Sequence, residues 1–436
     1  MTTEITTEIT AANVYDLAPA DLVQDDRVAG RMYTDPEIFE QEMTRIFEHT
    51  WIWVAHESEL PKPGSFKSTY VGRQPVIVSR DRKGAIHTLV NRCRHRGASL
   101  CEKRTGEANG FTCPYHAWSY SLDGKLRGIP YPEGYEGVLD KSELSLKRLR
   151  TEAYGGMIFA TLDEDIEPLE EFLGDVKVWI DRFMKQGGGY PVKVLGTHQF
   201  TFGGNWKIQL ENTTDGYHFP IVHRSWMASV DAETADMMSF MTDPEATTHD
   251  LGNGHSVMQM VPEHSDLDAD DGTEKLQDRF DGLIADLRAA GLSDSAIRKV
   301  VLAMHGTGFN LNLFPNVSMS AAFFRVLRPI SVDKTVIEHV AIGPDGPDEV
   351  VGPVNRARLR VHEHFQGPFG FGTPDDAEGW DRVQRGAQGA PEMPILVNRG
   401  AAREKPSPEG WPTSHVTDET GMRAAYAQWK QMMSDD

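Results

Sequence analysis

The chain has 436 residues, 39% hydrophobic and 25% charged, an ordinary balance for a folded protein of two or three domains; it excludes a disordered chain, a collagen and a coiled coil. With 44 basic against 65 acidic residues the net charge is −21. That speaks against nonspecific nucleic-acid binding and against docking on an anionic membrane, and any anion site has to be a local basic patch. Three cysteines cannot build a disulfide framework, the N-terminus lacks the regions of a secretory signal, and no apolar run is long enough to span a bilayer. A cytoplasmic protein is expected.

Residues 1–30 read as loosely structured. Thr34–Phe47 is expected to be helical, with Asp35 as cap, Pro36 in the first turn and Ile38, Phe39, Met43, Ile46 and Phe47 on one stripe. From Trp51 to Leu162 the reading is mostly β. Short strands over Pro75–Ser79, Ile86–Leu89, Gly110–Thr112, Ala117–Leu122 and Gly155–Leu162 are separated by turns such as Asp123-Gly124. A helix follows over Pro168–Met184. Beyond it come strands at Val192–Phe202, Phe323–Leu327 and Val336–Ile342, and helices at Leu276–Ala290, Ser293–Met304 and Met422–Met432. His264–Asp271 reads as an acidic loop and Gly343–Pro353 as a Pro/Gly-rich turn. The expected class is α+β, with an all-β domain over 50–165 and a second domain made from 1–49 and 166–436.

Two short segments carry the first chemical signal, Cys93-Arg94-His95 and Cys113-Pro114-Tyr115-His116. Each offers one soft thiolate and one imidazole from a turn between strands. Such a set can hold zinc, or a [2Fe–2S] cluster with two cysteines on one iron and two histidines on the other. Zinc fingers usually pair Cys with Cys and His with His; one of each per loop resembles the Rieske pattern. Cys101 lies outside it and reads as a buried core thiol. Arg92, Arg94, Arg96, Lys103 and Arg104 form a basic patch able to guide an acidic electron donor.

The second signal is Asp215, His218 and His223, in a segment that also contains Asn212. Asp215 and His218 are spaced to share a helix face. His218 and His223 are about 140° apart on a regular helix, so they converge on one ion only if the backbone departs from α geometry; Pro220 is the expected break. A facial triad for non-haem iron needs a carboxylate as well. Asp375, Asp376, Glu378 and Asp381 are candidates, and the residues alone leave the choice open.

Taken together, Cys93-x-His95, Cys113-x2-His116, Asp215-x2-His218-x4-His223 and the Gly-Pro-x-Gly…Asp-Asp segment over 367–376 resemble the large (α) subunits of Rieske non-haem iron aromatic ring-hydroxylating dioxygenases. The resemblance runs from about residue 30 to the end. It implies an all-β Rieske domain inserted in, or followed by, a helix-grip (START-like) α+β catalytic domain, with a [2Fe–2S] cluster on Cys93, His95, Cys113 and His116. It implies mononuclear Fe(II) on His218, His223 and Asp376, and an α3 or α3β3 assembly with a small β subunit. It makes Asp215 the carboxylate that bridges a cluster histidine of one subunit to an iron-ligand histidine of the next. The implied reaction is cis-dihydroxylation of an arene with O2. The chain carries no dinucleotide or flavin motif, so NADH is expected to act only through a separate reductase, with or without a ferredoxin. Cys113–Tyr120 and Val383–Gly386 are similar to members acting on aromatic carboxylates. A benzoate-, cumate- or phthalate-type acid is therefore expected, paired with Arg385 and walled by Phe309, Leu311, Leu313, Phe314, Phe369 and Phe371. The competing readings are a neutral arene as substrate, monooxygenation or demethylation and, more distantly, an electron carrier or zinc protein.

Overall fold

The computed structural model describes residues 9–10, 13–230, 239–262, 274–305 and 307–434; the expected acidic loop His264–Asp271 lies outside them. The chain divides into two compact units, Phe47–Phe172 and the flanking segments Met1–Ile46 with Leu173–Asp436.

The inserted unit is all β. Its strands are β1 (Ile52–His56), β2 (Ser65–Val71), β3 (Gln74–Arg80), β4 (Ile86–Val90), β5 (Thr105–Glu107), β6 (Phe111–Thr112), β7 (Ser119–Tyr120), β8 (Leu126–Gly128), β9 (Arg148–Tyr154) and β10 (Met157–Thr161). One sheet runs β1-β10-β9-β4-β3-β2-β5 and a smaller one β6-β7-β8. The apolar faces meet in a core of Ile77, Leu89, Phe111, Trp118 and Leu122 that also takes in Cys93 and Cys113. β9 escaped the sequence reading because Arg-Leu-Arg-Thr-Glu-Ala-Tyr is a largely polar, half-exposed strand.

The flanking unit mixes a nine-stranded sheet with helices. Its strands are β11 (Val192–Phe202), β12 (Thr247–Asp250), β13 (Ser256–Gln259), β14 (Phe309–Leu313), β15 (Val317–Ser320), β16 (Phe323–Ser331), β17 (Lys334–Pro344), β18 (Lys405–Pro406) and β19 (Pro412–His415), in the order β11-β17-β16-β15-β14-β13-β12-β19-β18. The helices that matter for the site are α1 (Pro36–Glu42), α2 (Val176–Met184), α3 (Trp206–Thr214), α4 (Phe219–Val222), α5 (Glu274–Ala289), α6 (Asp294–His305), α7 (Asp348–Phe365), α8 (Gly372–Gly389) and α9 (Thr420–Met433). Asp35 caps α1, its carboxylate accepting from the Glu37 amide at 2.8 Å.

Two sequence expectations are corrected here, and one helix is added. The end of the first thirty residues is tied down: Arg27–Ala29 pairs with Pro394–Leu396, burying Val28 and Ala29. The segment Gly343–Pro353 is not one long turn; α7 starts at Asp348 and runs through Pro353. Finally, α8 was not foreseen, because Gly372, Gly379, Gly386 and Gly389 give it low intrinsic helix propensity. Tertiary packing through Trp380, Gln384 and Ala387, all buried, overrides that preference.

Helix α3 is anchored at its N-terminal end. At its start the Asn205 side chain accepts from the Lys207 amide at 3.1 Å. Along it, Trp206 Nε1 donates to Glu42 at 2.8 Å and Lys207 Nζ to the same carboxylate at 2.5 Å. Trp429 Nε1 from α9 adds a third bond at 2.8 Å. Glu42 is fully buried and Lys207 nearly so, so the ion pair fixes α3 between α1 and α9.

Candidate metal centres

In the inserted unit the two Cys/His loops share one backbone pattern. The Cys93 amide donates to Ala98 O and the Gly97 amide returns to Cys93 O; the Cys113 amide donates to Trp118 O and the Ala117 amide returns to Cys113 O. Both loops need a left-handed residue at the same place, Gly97 (φ +77°) and Ala117 (φ +56°). Asn91 braces the first loop, its carbonyl accepting from the Leu100 and Cys101 amides at 3.0 Å each.

This pairing of like turns brings the His95 and His116 rings to 4.5 Å between centroids. Trp118 stacks on His95 at 4.9 Å, nearly coplanar, and Tyr135 Oη lies 3.2 Å from its Nε2. Tyr120 accepts from the Arg94 amide at 3.1 Å and lies 3.4 Å from Cys93 Sγ. Both thiols are buried and outside any disulfide, and the buried Nδ1 atoms of His95 and His116 have no hydrogen-bond partner. Two thiols and two unclaimed imidazole nitrogens fit a [2Fe–2S] cluster of mixed ligation. Arg92, Arg94, Arg96, Lys103 and Arg104 are exposed around it. Cys101 is only partly buried, and its thiol donates to Lys103 O at 3.6 Å, so the core reading of it is corrected.

In the flanking unit the second constellation forms by a route the spacing did not foresee. Helix α3 stops at Thr214, and Asp215 is extended. Its carboxylate accepts from the Tyr217 amide at 2.6 Å and the His218 amide at 3.3 Å. Asp215 and His218 therefore share a turn and not a helix face. Pro220 does not break the chain but sits in the first turn of α4, where its missing N–H costs nothing. The departure from α geometry comes at His223 (φ −94°, ψ 20°), and it aims the second imidazole back toward the first.

Of the four candidate carboxylates, α8 delivers Asp376. Its Oδ1 lies 3.4 Å from His218 Nε2 and 3.1 Å from His223 Nε2. The three donor atoms fall within 4.8 Å of one another. Asp375 reaches only 3.8 Å from His223 Nδ1; Glu378 pairs with Arg382 and Asp381 with Arg385 on the exposed side of α8. The Asp376 carboxyl is held far below its ordinary range: burial pushes it up, but the hydrogen bonds with His218 and His223 outweigh this. For His218, burial opposes charge, yet Asp215 and Asp376 together push it up to about 10. An anionic carboxylate beside two imidazoles, one backed by a second carboxylate, is a donor set that fits ferrous iron and leaves positions open. His218→Ala is expected to abolish iron at this centre while the cluster is retained. Iron and sulfide assays check it, and a full iron complement in the variant would overturn the assignment.

The sequence reading left Asn212 without a role. Its amide donates to Asp376 Oδ1 at 3.3 Å and lies 3.2 Å from His218 Nε2. Behind it, half-buried Glu211 takes hydrogen bonds from Tyr33 and Tyr426; desolvation raises its pKa to about 7 against those bonds. The turn leading into α8 is glycine at 370 for a steric reason: a Cβ there would sit 2.7 Å from Glu363 O and 2.8 Å from Phe365 O.

A cavity of about 400 Å³ opens on the three donors. Part of its lining is apolar, built from Phe219, Trp226, Phe240, Met258 and Phe365. Polar lining residues are Ser318, Ser320, Arg325, His362 and Gln366.

Most of the expected wall is corrected. Phe309 lines the cavity. Leu311 and Leu313 share the face on which Phe309 packs against Trp179 and Phe183, so they lie in the core. Alternation turns Asn312 toward α3 instead, where it meets Thr213. Phe314 is buried against Trp206. Phe369 is 93% exposed, and Phe371 is also exposed. Arg385 is 62% exposed and paired with Asp381 at 3.1 Å, away from the cavity wall, so it is no carboxylate anchor.

Two family models match the chain: a Rieske [2Fe-2S] domain over residues 50–146 and the catalytic domain of the ring-hydroxylating alpha subunit over 191–435. The chain belongs to the ring-hydroxylating dioxygenase α-subunit family, and it is a Rieske non-haem iron oxygenase. It is 36% identical over 396 residues to the large subunit of anthranilate 1,2-dioxygenase of Acinetobacter baylyi, covering 88% of this chain and 82% of the relative. It is 34% identical over 400 residues to the alpha subunit of toluate 1,2-dioxygenase of Pseudomonas putida, covering 84% and 82%. Among solved structures it resembles naphthalene 1,2-dioxygenase from Rhodococcus sp. bound to indole, with a TM-score of 0.75, 26% identity and coverage of 93% and 94%.

Proposed function

We propose that this α subunit is the terminal oxygenase that cis-dihydroxylates an aromatic carboxylate of the benzoate type. The observation that carries this is the convergence of His218, His223 and Asp376 on a cavity of about 400 Å³, the size of site that takes one small substituted ring. The acid is supported by the substrates named for relatives, anthranilate, toluate and 2-halobenzoate, the last at 32% identity in Burkholderia cepacia. Electrons come from NADH through a separate reductase, with or without a ferredoxin, and the working assembly is α3 or α3β3.

When bound, the cluster supplies single electrons and the ferrous centre supplies the oxygen chemistry. His218, His223 and Asp376 hold the iron; Cys93, Cys113, His95 and His116 hold the cluster. Asp215 Oδ2, 3.2 Å from His218 Nδ1, keeps that nitrogen protonated and leaves Nε2 as the donor. In the assembly Asp215 also bridges to a cluster histidine of the neighbouring subunit. Asn212 steadies the Asp376 carboxylate, and Phe219, Trp226 and Phe365 keep the ring's surroundings dry.

The test is the purified, iron-loaded protein with a surrogate reductase, NADH and O2. The expected result is three irons per chain, two of them in the cluster, and conversion of benzoates to cis-diols with both oxygens from O2. Loaded protein that converts only neutral arenes, or that adds a single oxygen, would overturn the reading.

A further inference from the structure

The cavity lining includes a buried cation, Arg325, that forms no ion pair with a carboxylate among the described residues. Arg325 lies on β16, where the register sets it opposite Ser318 on one side and His339 on the other. It is 4% exposed. Its Nε donates to His339 Nε2 at 3.0 Å and its Nη2 to Gln366 Oε1 at 3.3 Å, both neutral acceptors; its Nη1 has no hydrogen-bond partner among the described residues. No described carboxylate pairs with it. Helix α7 presents Arg358, Val361, His362 and Phe365 to the same cavity at helical spacing. His362 is buried, and both of its ring nitrogens lack a partner.

We propose that Arg325, with His362 beside it, is the anchor for the carboxylate of the substrate. A buried guanidinium without a counter-ion is costly unless an anion completes it. The carboxylates on the described wall are Asp215 and Asp376, and both are engaged with His218. The cation thus stands within a protein of net charge −21, beside the iron ligands and not on them. Arg325 lines the same cavity as His218, His223 and Asp376, so a carboxylate held by it shares that cavity with the iron donors. Burial, followed by the charges of His198 and Arg325, holds His362 down to about 4. It is therefore neutral, with one N–H free to donate to a second carboxylate oxygen. The apolar cluster of Phe219, Trp226, Phe240, Met258 and Phe365 then takes the ring. Arg385, exposed and paired with Asp381, cannot serve in this role.

This inference rests on the reading of the substrate as an aromatic acid, and two probes separate the two claims. Benzoate and nitrobenzene have nearly the same shape, and only benzoate is charged. Binding of each to the iron-loaded protein is followed by calorimetry. The wild type is expected to prefer benzoate. Arg325→Met should weaken benzoate by roughly 10- to 100-fold, the contribution of one charge-assisted pair, and leave nitrobenzene nearly unchanged. Arg325→Lys should recover part of the loss. Retained iron and nitrobenzene binding show that the variant is folded; if Arg325→Met fails that check, His362→Leu takes its place, with a smaller loss for benzoate alone. If the wild type binds and converts benzoate but the benzoate-to-nitrobenzene ratio survives these substitutions, the anchor is wrong and the acid reading stands. If the wild type shows no preference and converts only neutral arenes, the acid reading falls as well.

Discussion

Asp215→Ala is expected to cut steady-state turnover about 100-fold, the upper end of what losing the carboxylate behind a metal-binding histidine costs, with cluster and iron contents kept. The side chain does two things at once. One oxygen accepts from the Tyr217 and His218 amides and closes the turn after α3. The other lies 3.2 Å from His218 Nδ1 and sets the tautomer of that ring. The proposed bridge to the neighbouring subunit adds a third task, and it leaves its own signature. After reduced protein is mixed with O2 and substrate, reoxidation of the cluster, followed by its absorbance, should slow in step with turnover. Asp215→Asn separates geometry from charge: it can accept the same backbone bonds and cannot hold the imidazole proton as a carboxylate does. Turnover of Asp215→Ala within a factor of about two of wild type would remove Asp215 from the mechanism.

The largest effect on stability is expected from Glu42→Ala. The substitution removes three buried hydrogen bonds, from Trp206, Lys207 and Trp429, and leaves the Lys207 ammonium without its counter-ion in the core. Breaking one half of a buried pair in this way costs about 3–5 kcal/mol, well beyond the common range for single substitutions. Urea unfolding followed by tryptophan fluorescence measures it. The double substitution Glu42→Leu with Lys207→Leu should recover much of the loss, since it removes the orphaned charge as well. A loss of under about 1 kcal/mol in Glu42→Ala would mean that water or another anion reaches Lys207. Because α3 carries Asn212 and leads directly to Asp215, partial loss of iron should accompany the destabilisation.

The parts of the site that could be read from the sequence are those that are local in the chain. Cys93 with His95, Cys113 with His116, and His218 with His223 declare themselves by donor type and short spacing. Asp376 is different. It comes from α8, more than a hundred residues downstream, and only the close turn at Gly370 and the packing of a glycine-rich helix bring it into place. The cavity wall was misread for a related reason. In Phe309-Asn310-Leu311-Asn312-Leu313 the apolar positions drew attention, but the strand's alternation sends the leucines to the core and Asn312 toward the helix that carries the site. Arg325 and His362 gave no signal at all. Each is a polar residue in an otherwise ordinary element, and what sets them apart is burial without a partner, a property of the folded chain.

Gln384 ties the two arms of the iron site together. From α8 its carbonyl accepts from the Asn205 amide at 2.9 Å, at the start of α3, and its amide donates to Tyr33 O at 3.0 Å. The metal-bearing wall is thereby a single stiff piece. Plasticity toward bulkier or smaller guests falls to the apolar part of the lining, where Met258 and Met260 supply unbranched, adaptable side chains in one cluster with Trp226 and Phe240. Libraries aimed at those four positions should broaden the range of accepted rings while sparing the catalytic metal, whereas changes at Gln384 should loosen the centre without enlarging its repertoire.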